Sequence, residues 1–355
     1  MSDVAKLAGV GTMTVSRLLS GSVTVSAATA KRIHKAIERL NYQPNEVARA
    51  LRGHKTRTIG VIIPYLYDTF FAYCAHAIEK AAKEHEYSVI VTTSMEDPEI
   101  EYRAAAEMLR RHVEGMVIIP APHKKSYLER PEFRSARVVL LDRPSPLARF
   151  DSVLVDNKCG AMLAVDHLID HGHQRIVCAG LSKELYTLKM RYEGYRQSLS
   201  NARLRPEPYL DCSAQDSIIP ALVKLLDRRQ PPTAFFCANN LTMRYMLLAL
   251  NELGVTIPND VAVTGFDDFE LAEILNPTLT VVRQPCDEMG RVAATVLFNR
   301  LEAEEFPDVG EQTVLPVELV VRRSCGCKPR KSRNDAASFV VAGDAFERVA
   351  TTGLC

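Results

Sequence analysis

The 355-residue sequence lacks any long hydrophobic run, and none approaches the roughly 18 consecutive apolar residues of a membrane-spanning helix. Residues 1–6 also lack the basic-then-apolar order of a secretory signal peptide. Hydrophobic residues make up 47% of the chain and charged residues 25%, which is ordinary for a soluble globular protein. We therefore expect a cytoplasmic protein with no membrane partner, long enough for two or three domains.

The sequence also lacks paired cysteines of the kind that form a disulfide framework. Its nine cysteines are scattered and odd in number, and several, such as Cys178 and Cys237, lie inside apolar runs where cysteine behaves as a small buried hydrophobe. Only Cys325 and Cys327 form a close pair. Two thiols one residue apart, with no second pair nearby, are a poor zinc site, so we predict no metal there.

The recognised sequence motifs of several enzyme classes are missing. The chain has no Walker-type phosphate loop, no Gly-x-Ser-x-Gly elbow and no His-Glu-x-x-His pair, and the glycines at 9 and 11 lack the third glycine of a dinucleotide site. His167, His171 and His173 cluster near a predicted helix end, but no obvious carboxylate accompanies them, and Gly172 favours a helix cap. We predict no catalytic residue, no cofactor and no metal, which disfavours a sugar-modifying enzyme.

The small net charge of +1 hides a strong asymmetry along the chain. Residues 1–57 carry a net charge of +7, residues 58–321 carry −10, and residues 322–355 carry +4. A basic head on an acidic body is the pattern expected when only the head meets a polyanion such as DNA.

The basic head has the pattern of a helix-turn-helix. Apolar spacing predicts helices over residues 3–9 and 12–19, joined by a turn that contains Gly9 and Gly11. Ser26 is a predicted N-cap for a third helix that runs to about Leu40. Side chains near the exposed start of the second helix could reach base edges in a major groove: Thr12, Met13, Ser16 and Arg17. The alternative is a generic three-helix bundle whose basic face is only solvated.

The body alternates short apolar runs with amphipathic helices. Runs buried on both faces predict parallel sheets covered by helices, an α/β doubly wound architecture. Eight strands are too many for one small sheet, so we expect two lobes divided near Asp156 and Asn157. The candidate strands are residues 59–63, 89–92, 116–119, 138–141, 153–155, 176–179, 234–237 and 261–264.

Residues 3–10 and 14–21 resemble the head of the LacI/GalR family of bacterial regulators. That resemblance implies that Thr12, Met13 and Arg17 occupy base-reading positions. Gly11 stands where the family usually has a serine at the start of the second helix. This departure removes an N-cap hydrogen bond that a serine there could make.

Residues 40–45 and 48–51 resemble the hinge segment of the same family. The resemblance implies a hinge helix over residues 45–52, beginning at Asn45. It also implies that Leu51 is the wedge that the family inserts into the minor groove. An apolar wedge of this kind unstacks a base step and bends the duplex.

The resemblance continues through the body to about residue 325, and it implies a periplasmic-binding-protein-like pair of lobes with an effector in the cleft. Its landmarks are residues 141–144, 155–157, 171–176, 191–195, 265–268, 277–284 and 315–322.

By the same resemblance, the effector contacts are Arg191, Asn239 and Asp267. Arginine offers a planar fork to vicinal hydroxyls or to a carboxylate. Phe70 and Phe71, at the start of the first body helix, could stack on a ring face. Two weaker candidates are Asp68 and Arg143. Asn240 replaces the aspartate that the family usually has there, which makes the pocket less acidic.

The sequence thus predicts the following domains. Residues 1–43 form the helix-turn-helix domain, 44–57 the hinge helix and linker, 58–325 the body, and 326–355 a mobile basic tail. Within the body, lobe one covers 58–157 and 286–311, and lobe two covers 158–285 and 312–325. The tail lacks the heptads of a tetramerising coiled coil, so we expect a homodimer.

The predicted function is a sequence-specific transcriptional regulator, a repressor of a nearby promoter. Its partners would be a roughly palindromic operator DNA and a small-molecule effector, a carbohydrate by family resemblance. The alternative from another class is a solute-binding protein with no role at DNA. The basic head and the missing signal peptide disfavour it.

Overall fold

The computed structural model describes residues 1–20, 25–42, 56–122, 126–144, 147, 149–303 and 309–327. Among these residues, no helix is both long enough and apolar enough to cross a membrane. They form a three-helix head and two α/β lobes.

The head consists of α1 (Ser2–Ala8), α2 (Thr12–Ser20) and α3 (Ala27–Arg39). The first helix ends at Gly9, which takes the left-handed conformation (φ 65°, ψ 41°) that glycine adopts without a steric penalty. The third begins at Ser26, whose side chain accepts a hydrogen bond from the Thr29 amide. The three helices enclose one small core, made of Val4, Ala5, Ala8, Val15, Ile33 and Ala36.

The strands of the first lobe are β1 (Thr58–Ile63), β2 (Ser88–Thr93), β3 (Gly115–Ile118), β4 (Arg137–Leu141), β5 (Asp151–Val155) and β11 (Gln312–Leu315). They form a six-stranded sheet of order β11-β5-β4-β3-β1-β2 in which every neighbouring pair is parallel. Its helices are α4 (Thr69–Glu84), α5 (Pro98–Arg110) and α11 (Cys286–Glu302), with 3₁₀ turns at Tyr127–Glu129 and Pro131–Phe133. Residues of α4 and α11 share one core cluster with β1, β3, β4 and β5. The two helices therefore form a layer that packs on one face of the sheet.

The strands of the second lobe are β6 (Ile176–Gly180), β7 (Leu210–Asp211), β8 (Ala234–Cys237), β9 (Ala262–Phe266), β10 (Thr280–Arg283) and β12 (Glu318–Val320). Their order is β12-β10-β9-β8-β6-β7, parallel except for the antiparallel pair of β10 with β12. Its helices are α6 (Asn157–Asp170), α7 (Tyr186–Asn201), α8 (Ile218–Leu226), α9 (Asn240–Glu252) and α10 (Leu271–Ile274), with a 3₁₀ turn at Gln215–Ser217.

The chain passes between the lobes three times: after β5, after β10 and after β11. The first passage lies between Val155 and Asn157, and the second between Arg283 and Cys286. The third falls between Leu315 and Glu318 rather than at 311/312, because Gln312–Leu315 pairs with β5 in the first sheet. Such an edge strand, with Gln312 and Val314 exposed, lacks the continuous apolar signal of a central strand.

Candidate functional site

A cavity of about 500 Å³ lies between the two lobes. Its walls come from loops at the carboxyl ends of the parallel strands and from the helices that follow them, where open α/β sheets bind their ligands. The first lobe contributes Tyr65, Tyr67, Asp68, Phe70, Phe71, Glu96, Asp142 and Arg143. The second contributes Leu181, Leu185, Leu188, Arg191, Asn239, Asn240, Arg244, Tyr245 and Asp267. All five side chains predicted to contact an effector therefore line one cavity.

Arg191 on α7 is buried in the wall of this cavity, with only 3% of its surface exposed. Its Nε donates to Asn157 Oδ1 at 2.8 Å and its Nη1 to the Ala238 carbonyl at 2.8 Å. The guanidinium lies 3.6 Å from the centre of the Phe266 ring. Within the described part of the chain, no acceptor bonds to Nη2 of Arg191.

Asp267 follows β9 and partners Arg191, with Oδ2 3.5 Å from Nη1. The backbone amide of Asn240 donates to Oδ2 of Asp267 at 3.2 Å, and Gln284 Nε2 donates to Oδ1 at 2.5 Å. The residue has a positive φ of 76°, and Asp142, after β4 of the other lobe, has 67°. Aspartate tolerates this left-handed conformation better than most residues, so each lobe presents one carboxylate at a sharp turn beyond a strand end.

Asn239 caps α9, because its Oδ1 accepts a hydrogen bond from the Thr242 amide at 3.0 Å. The carbonyl oxygen of its side chain is therefore engaged, and only the amide nitrogen is left for a ligand. Asn240 Nδ2 donates to Asp68 Oδ1 at 3.0 Å and so joins the second lobe to the first. A carboxylate at position 240 would instead face the carboxylate of Asp68.

Phe70 and Phe71 begin α4 behind its N-cap, Asp68. Each ring is only 7% exposed, and the two meet edge to face with centroids 5.3 Å apart. Both line the cavity, but both also belong to the core of the first lobe. Tyr67, which sequence reasoning missed, also lines the cavity and is 69% exposed, so its ring is the more accessible stacking surface. Its position just beyond β1 was the only signal in the sequence.

Most of the charge in the cavity is already balanced by the protein. Arg143 forms a bidentate pair with Glu96 at 2.6 and 2.7 Å and also donates to the Pro120 carbonyl at 2.9 Å. Burial raises the pKa of Asp142 to about 6, although Arg143 and Arg191 act to lower it. Burial and the nearby Asp267 also raise the pKa of Asp68. With Arg244 as a third arginine in the wall, the carboxylates still outnumber the arginines, so the cavity has little excess positive charge to offer an anion.

The predicted DNA-reading side chains lie on α2. Thr12, Met13 and Arg17 are exposed and Ser16 is partly buried. Their spacing places them within roughly 140° of arc on one side of the helix, opposite the buried Val15. The remaining predicted contacts, Asn45 and Leu51, lie outside the described residues.

The first lobe holds the junction between the linker and the body by several contacts that the sequence did not reveal. Thr56 Oγ1 donates to the His112 carbonyl at 2.7 Å, and the Arg57 amide donates to Glu114 Oε1 at 2.6 Å. Glu114 Oε2 also accepts from the Tyr87 hydroxyl at 2.7 Å, and Arg57 pairs with Glu86. These contacts fix the point from which the chain leaves towards the head.

Comparison with known proteins agrees with this architecture. The family profile "Bacterial regulatory proteins, lacI family" matches residues 1–45, and the profile "Periplasmic binding protein-like domain" matches residues 165–325. Catabolite control protein A from Priestia megaterium is 32% identical over 85% of this chain and 92% of its own length.

Two solved structures extend the comparison. The Lac repressor dimer bound to operator and the anti-inducer ONPF has a TM-score of 0.79 and 26% identity, over 91% of this chain and 98% of that one. The complex of the transcriptional regulator CelR with cellobiose has a TM-score of 0.67 and 31% identity, over the same shares of the two chains. The chain therefore belongs to the LacI family of bacterial regulatory proteins and is a DNA-binding transcriptional regulator rather than an enzyme.

Proposed function

We propose that this regulator is a homodimeric repressor, working in the cytoplasm on a roughly palindromic operator, and that a neutral carbohydrate in the interlobe cavity switches it. The proposal of a carbohydrate effector rests on the groups that line the cavity. It combines the Nη2 group of Arg191 and the amide of Asn239 with exposed aromatic surface at Tyr67. Planar donors beside an aromatic face are suited to the hydroxyls and the ring face of a sugar. The CelR complex with cellobiose supports this assignment by similarity.

The charge balance favours a neutral sugar over a sugar acid. Glu96 neutralises Arg143, and Asp267 lies against Arg191. Asp68 and Asp142 add further carboxylates to the same cavity. An anionic ligand would meet these carboxylates with Arg244 as the one further arginine of the cavity wall, whereas hydroxyls could donate to the carboxylates and accept from Arg191.

In this proposal DNA is read by α2, with Thr12, Met13, Ser16 and Arg17 facing base edges, and by the hinge with Asn45 and Leu51. Two copies of the head would read two half-sites, since the two-fold symmetry of a dimer matches a palindrome. Phosphate contacts from the basic head would supply the salt-sensitive part of the affinity.

Switching would act through the angle between the lobes. Asn240 with Asp68, and Tyr73 with Glu270, are hydrogen-bonded pairs that join the lobes across the cleft. An effector that binds one lobe angle better shifts the population towards it. The first lobe would pass this movement to the linker through the contacts at Arg57 and Glu114, and so to the two heads.

The first test is selection of bound DNA from a random pool with the full-length protein at near-physiological salt. The selected operator is then titrated by fluorescence anisotropy in the presence of neutral mono- and disaccharides, with sugar acids of matched size as a second series. We expect a two-fold symmetric sequence and a change in operator affinity of about 5- to 150-fold with a neutral sugar, which corresponds to 1–3 kcal/mol of coupling.

Two results would contradict the proposal. Selected sequences without two-fold symmetry would show that the protein does not bind DNA as a symmetric dimer on two half-sites. A response to sugar acids alone would show that the balance of charges in the cavity has been misjudged.

A further inference from the structure

Four side chains of the second lobe come together far from the cleft: His167, His171, Cys325 and Cys327, hereafter the His–Cys cluster. His167 and His171 lie one turn apart at the end of α6, while the two cysteines lie beyond β12. Cys327 Sγ is 3.2 Å from His167 Nε2 and 3.0 Å from His171 Nε2. Cys325 Sγ is 3.0 Å from Cys327 Sγ. The sequence separates these residues into two unrelated pairs, and only the fold unites them.

The ring of His171 is already oriented as a metal ligand. Its Nδ1 lies 2.7 Å from the His167 carbonyl oxygen, so Nδ1 carries the proton and donates to that oxygen. The lone pair of Nε2 then points towards Cys327 Sγ. Histidines that bind metals usually donate their second ring nitrogen to a carbonyl or a carboxylate in this way.

The cysteine segment is also fixed in place by hydrogen bonds of its own. Ser324 Oγ donates to the Val263 carbonyl at 2.6 Å and accepts from the Thr280 amide at 2.8 Å. The Thr280 hydroxyl contacts Cys325 Sγ at 3.1 Å. Cys325 is buried, Cys327 is partly buried, and the exposed His171 leaves a path from solvent.

We propose that the His–Cys cluster binds a zinc ion. Two imidazole nitrogens and two thiolates form the His₂Cys₂ set typical of structural zinc sites. Zinc bonds of about 2.0–2.3 Å place tetrahedral ligand atoms roughly 3.3–3.8 Å apart. The ligand nitrogens and Sγ of Cys327, which all lie within 4.8 Å of one another, would therefore each need to move by no more than about 1 Å. Cys325 completes the set after rotation of its side chain.

Such a site would cross-link two segments of the second lobe and would not belong to the effector cleft. It would join the end of α6 to the residues that follow β12, which lie 156 positions later in the chain. The first residue of α6, Asn157, contacts Arg191 in the cavity wall. The helix rise places His171 roughly 20 Å from that residue, so zinc and effector would occupy separate sites.

A disulfide between Cys325 and Cys327 is the competing use of the two thiols. It would require no histidine, whereas both imidazoles are turned towards Cys327 Sγ. The convergence of nitrogen and sulfur ligands on one point therefore favours zinc.

The test uses the full-length protein, reduced and stripped of metal with a chelator. Zinc is added and bound metal is measured by mass spectrometry after gel filtration. Cobalt is then added as a spectroscopic probe, because tetrahedral Co²⁺ with thiolate ligands gives a charge-transfer band and intense visible bands. We expect one metal ion per chain, a thiolate–cobalt spectrum and a rise in melting temperature with zinc.

Two variants remove ligands, His171→Ala and Cys327→Ser, and two matched controls change exposed residues elsewhere, His76→Ala and Cys159→Ser. We expect each ligand variant to weaken zinc binding by at least about 10- to 100-fold, since even outer-shell changes have that effect. The controls should bind zinc like the wild type. Equal binding by all five proteins would overturn the proposal, as would a wild type that binds no metal and instead forms a Cys325–Cys327 disulfide in air.

Discussion

At the scale of single residues, Arg191 shows how the fold holds a buried cation in the wall of a cavity. Its guanidinium donates hydrogen bonds to Asn157 and to the Ala238 carbonyl, and it forms an ion pair with Asp267. It also contacts the Phe266 ring. The guanidinium is therefore held rigidly in the cavity wall. A rigid donor loses little conformational entropy when a ligand binds.

We expect Arg191→Lys to weaken effector binding by about 10- to 100-fold, because hydrogen bonds from a charged donor contribute roughly 1.5–3 kcal/mol. Lysine keeps the charge but loses the planar fork. Isothermal titration calorimetry measures the loss, and circular dichroism checks the fold. Arg196→Lys, on an exposed position of the same helix, is the control. Equal losses in both variants would mean that Arg191 does not contact the effector.

Asn240 is a second residue whose side chain is important to the cleft, because its side-chain amide donates across the cleft to Asp68. Asn240→Asp removes that donor and places two carboxylates face to face. We expect the lobes to separate, which small-angle X-ray scattering would detect as a larger radius of gyration in the effector-free protein. Asn251→Asp, exposed at the far end of the same helix, adds the same charge away from the cleft. If both variants scatter like the wild type, the Asn240–Asp68 contact does not hold the lobes.

At the scale of elements, α2 combines two faces with different tasks. Val15 is fully buried in the core of the head, whereas Met13 is 65% exposed. Thr12 and Arg17 are exposed on the same side of the helix as Met13. The same helix that stabilises the head is thus available to a DNA groove.

We expect Arg17→Ala to weaken binding to the selected operator by about 5- to 150-fold and to relax its sequence preference, since a base contact is worth roughly 1–3 kcal/mol. Lys31→Ala, on an exposed position of α3, removes the same charge from the head. If Lys31 binds a phosphate, its removal should weaken binding equally for all sequences and reduce the salt dependence. Anisotropy with operator and scrambled DNA separates the two effects. An Arg17 variant whose affinity falls equally for both DNAs would refute a base-reading role.

At the scale of the whole molecule, one buried acid makes stability depend on pH. Glu101 on α5 is 1% exposed and accepts a hydrogen bond from the Ala121 amide. Burial raises its pKa to about 7, against the opposing effect of the hydrogen bonds from Ala121 and Tyr127. A raised pKa means that the folded state prefers the protonated acid. The associated stability is complete below the unfolded pKa of about 4.5 and is lost as the pH rises through about 7.

We expect Glu101→Gln to raise the free energy of unfolding of the first lobe at pH 8 by about 1–3 kcal/mol relative to the wild type. The amide keeps an acceptor for Ala121 but cannot ionise. Urea denaturation at pH 5 and pH 8 measures the effect, which should almost vanish at pH 5. Glu99→Gln, exposed on the same helix, should leave the pH dependence unchanged. Parallel curves for wild type and Glu101→Gln at both pH values would contradict the assignment.

Local patterns in the sequence determined much of the fold. The three head helices, the Ser26 cap and the eight predicted strands lie within a residue or two of their predicted places, because period and capping are set by neighbouring residues. The strands missing from the prediction are β7, β11 and β12, which are partly exposed edge strands, and β10, which is central and buried but only four residues long. Leu40, at the predicted end of the third helix, is exposed, whereas Ala36 of that helix is buried in the head core.

The candidate site was likewise predicted only in part from the sequence. Family motifs placed Arg191, Asn239 and Asp267, and the structure brings them into one cavity with Phe70 and Phe71. Only the tertiary structure revealed that Asn240 meets Asp68 and that the two histidines of α6 meet Cys327. Those partners are more than 150 positions apart in the chain. Their contact depends on how two sheets and their helices pack, and no local pattern of side chains encodes that.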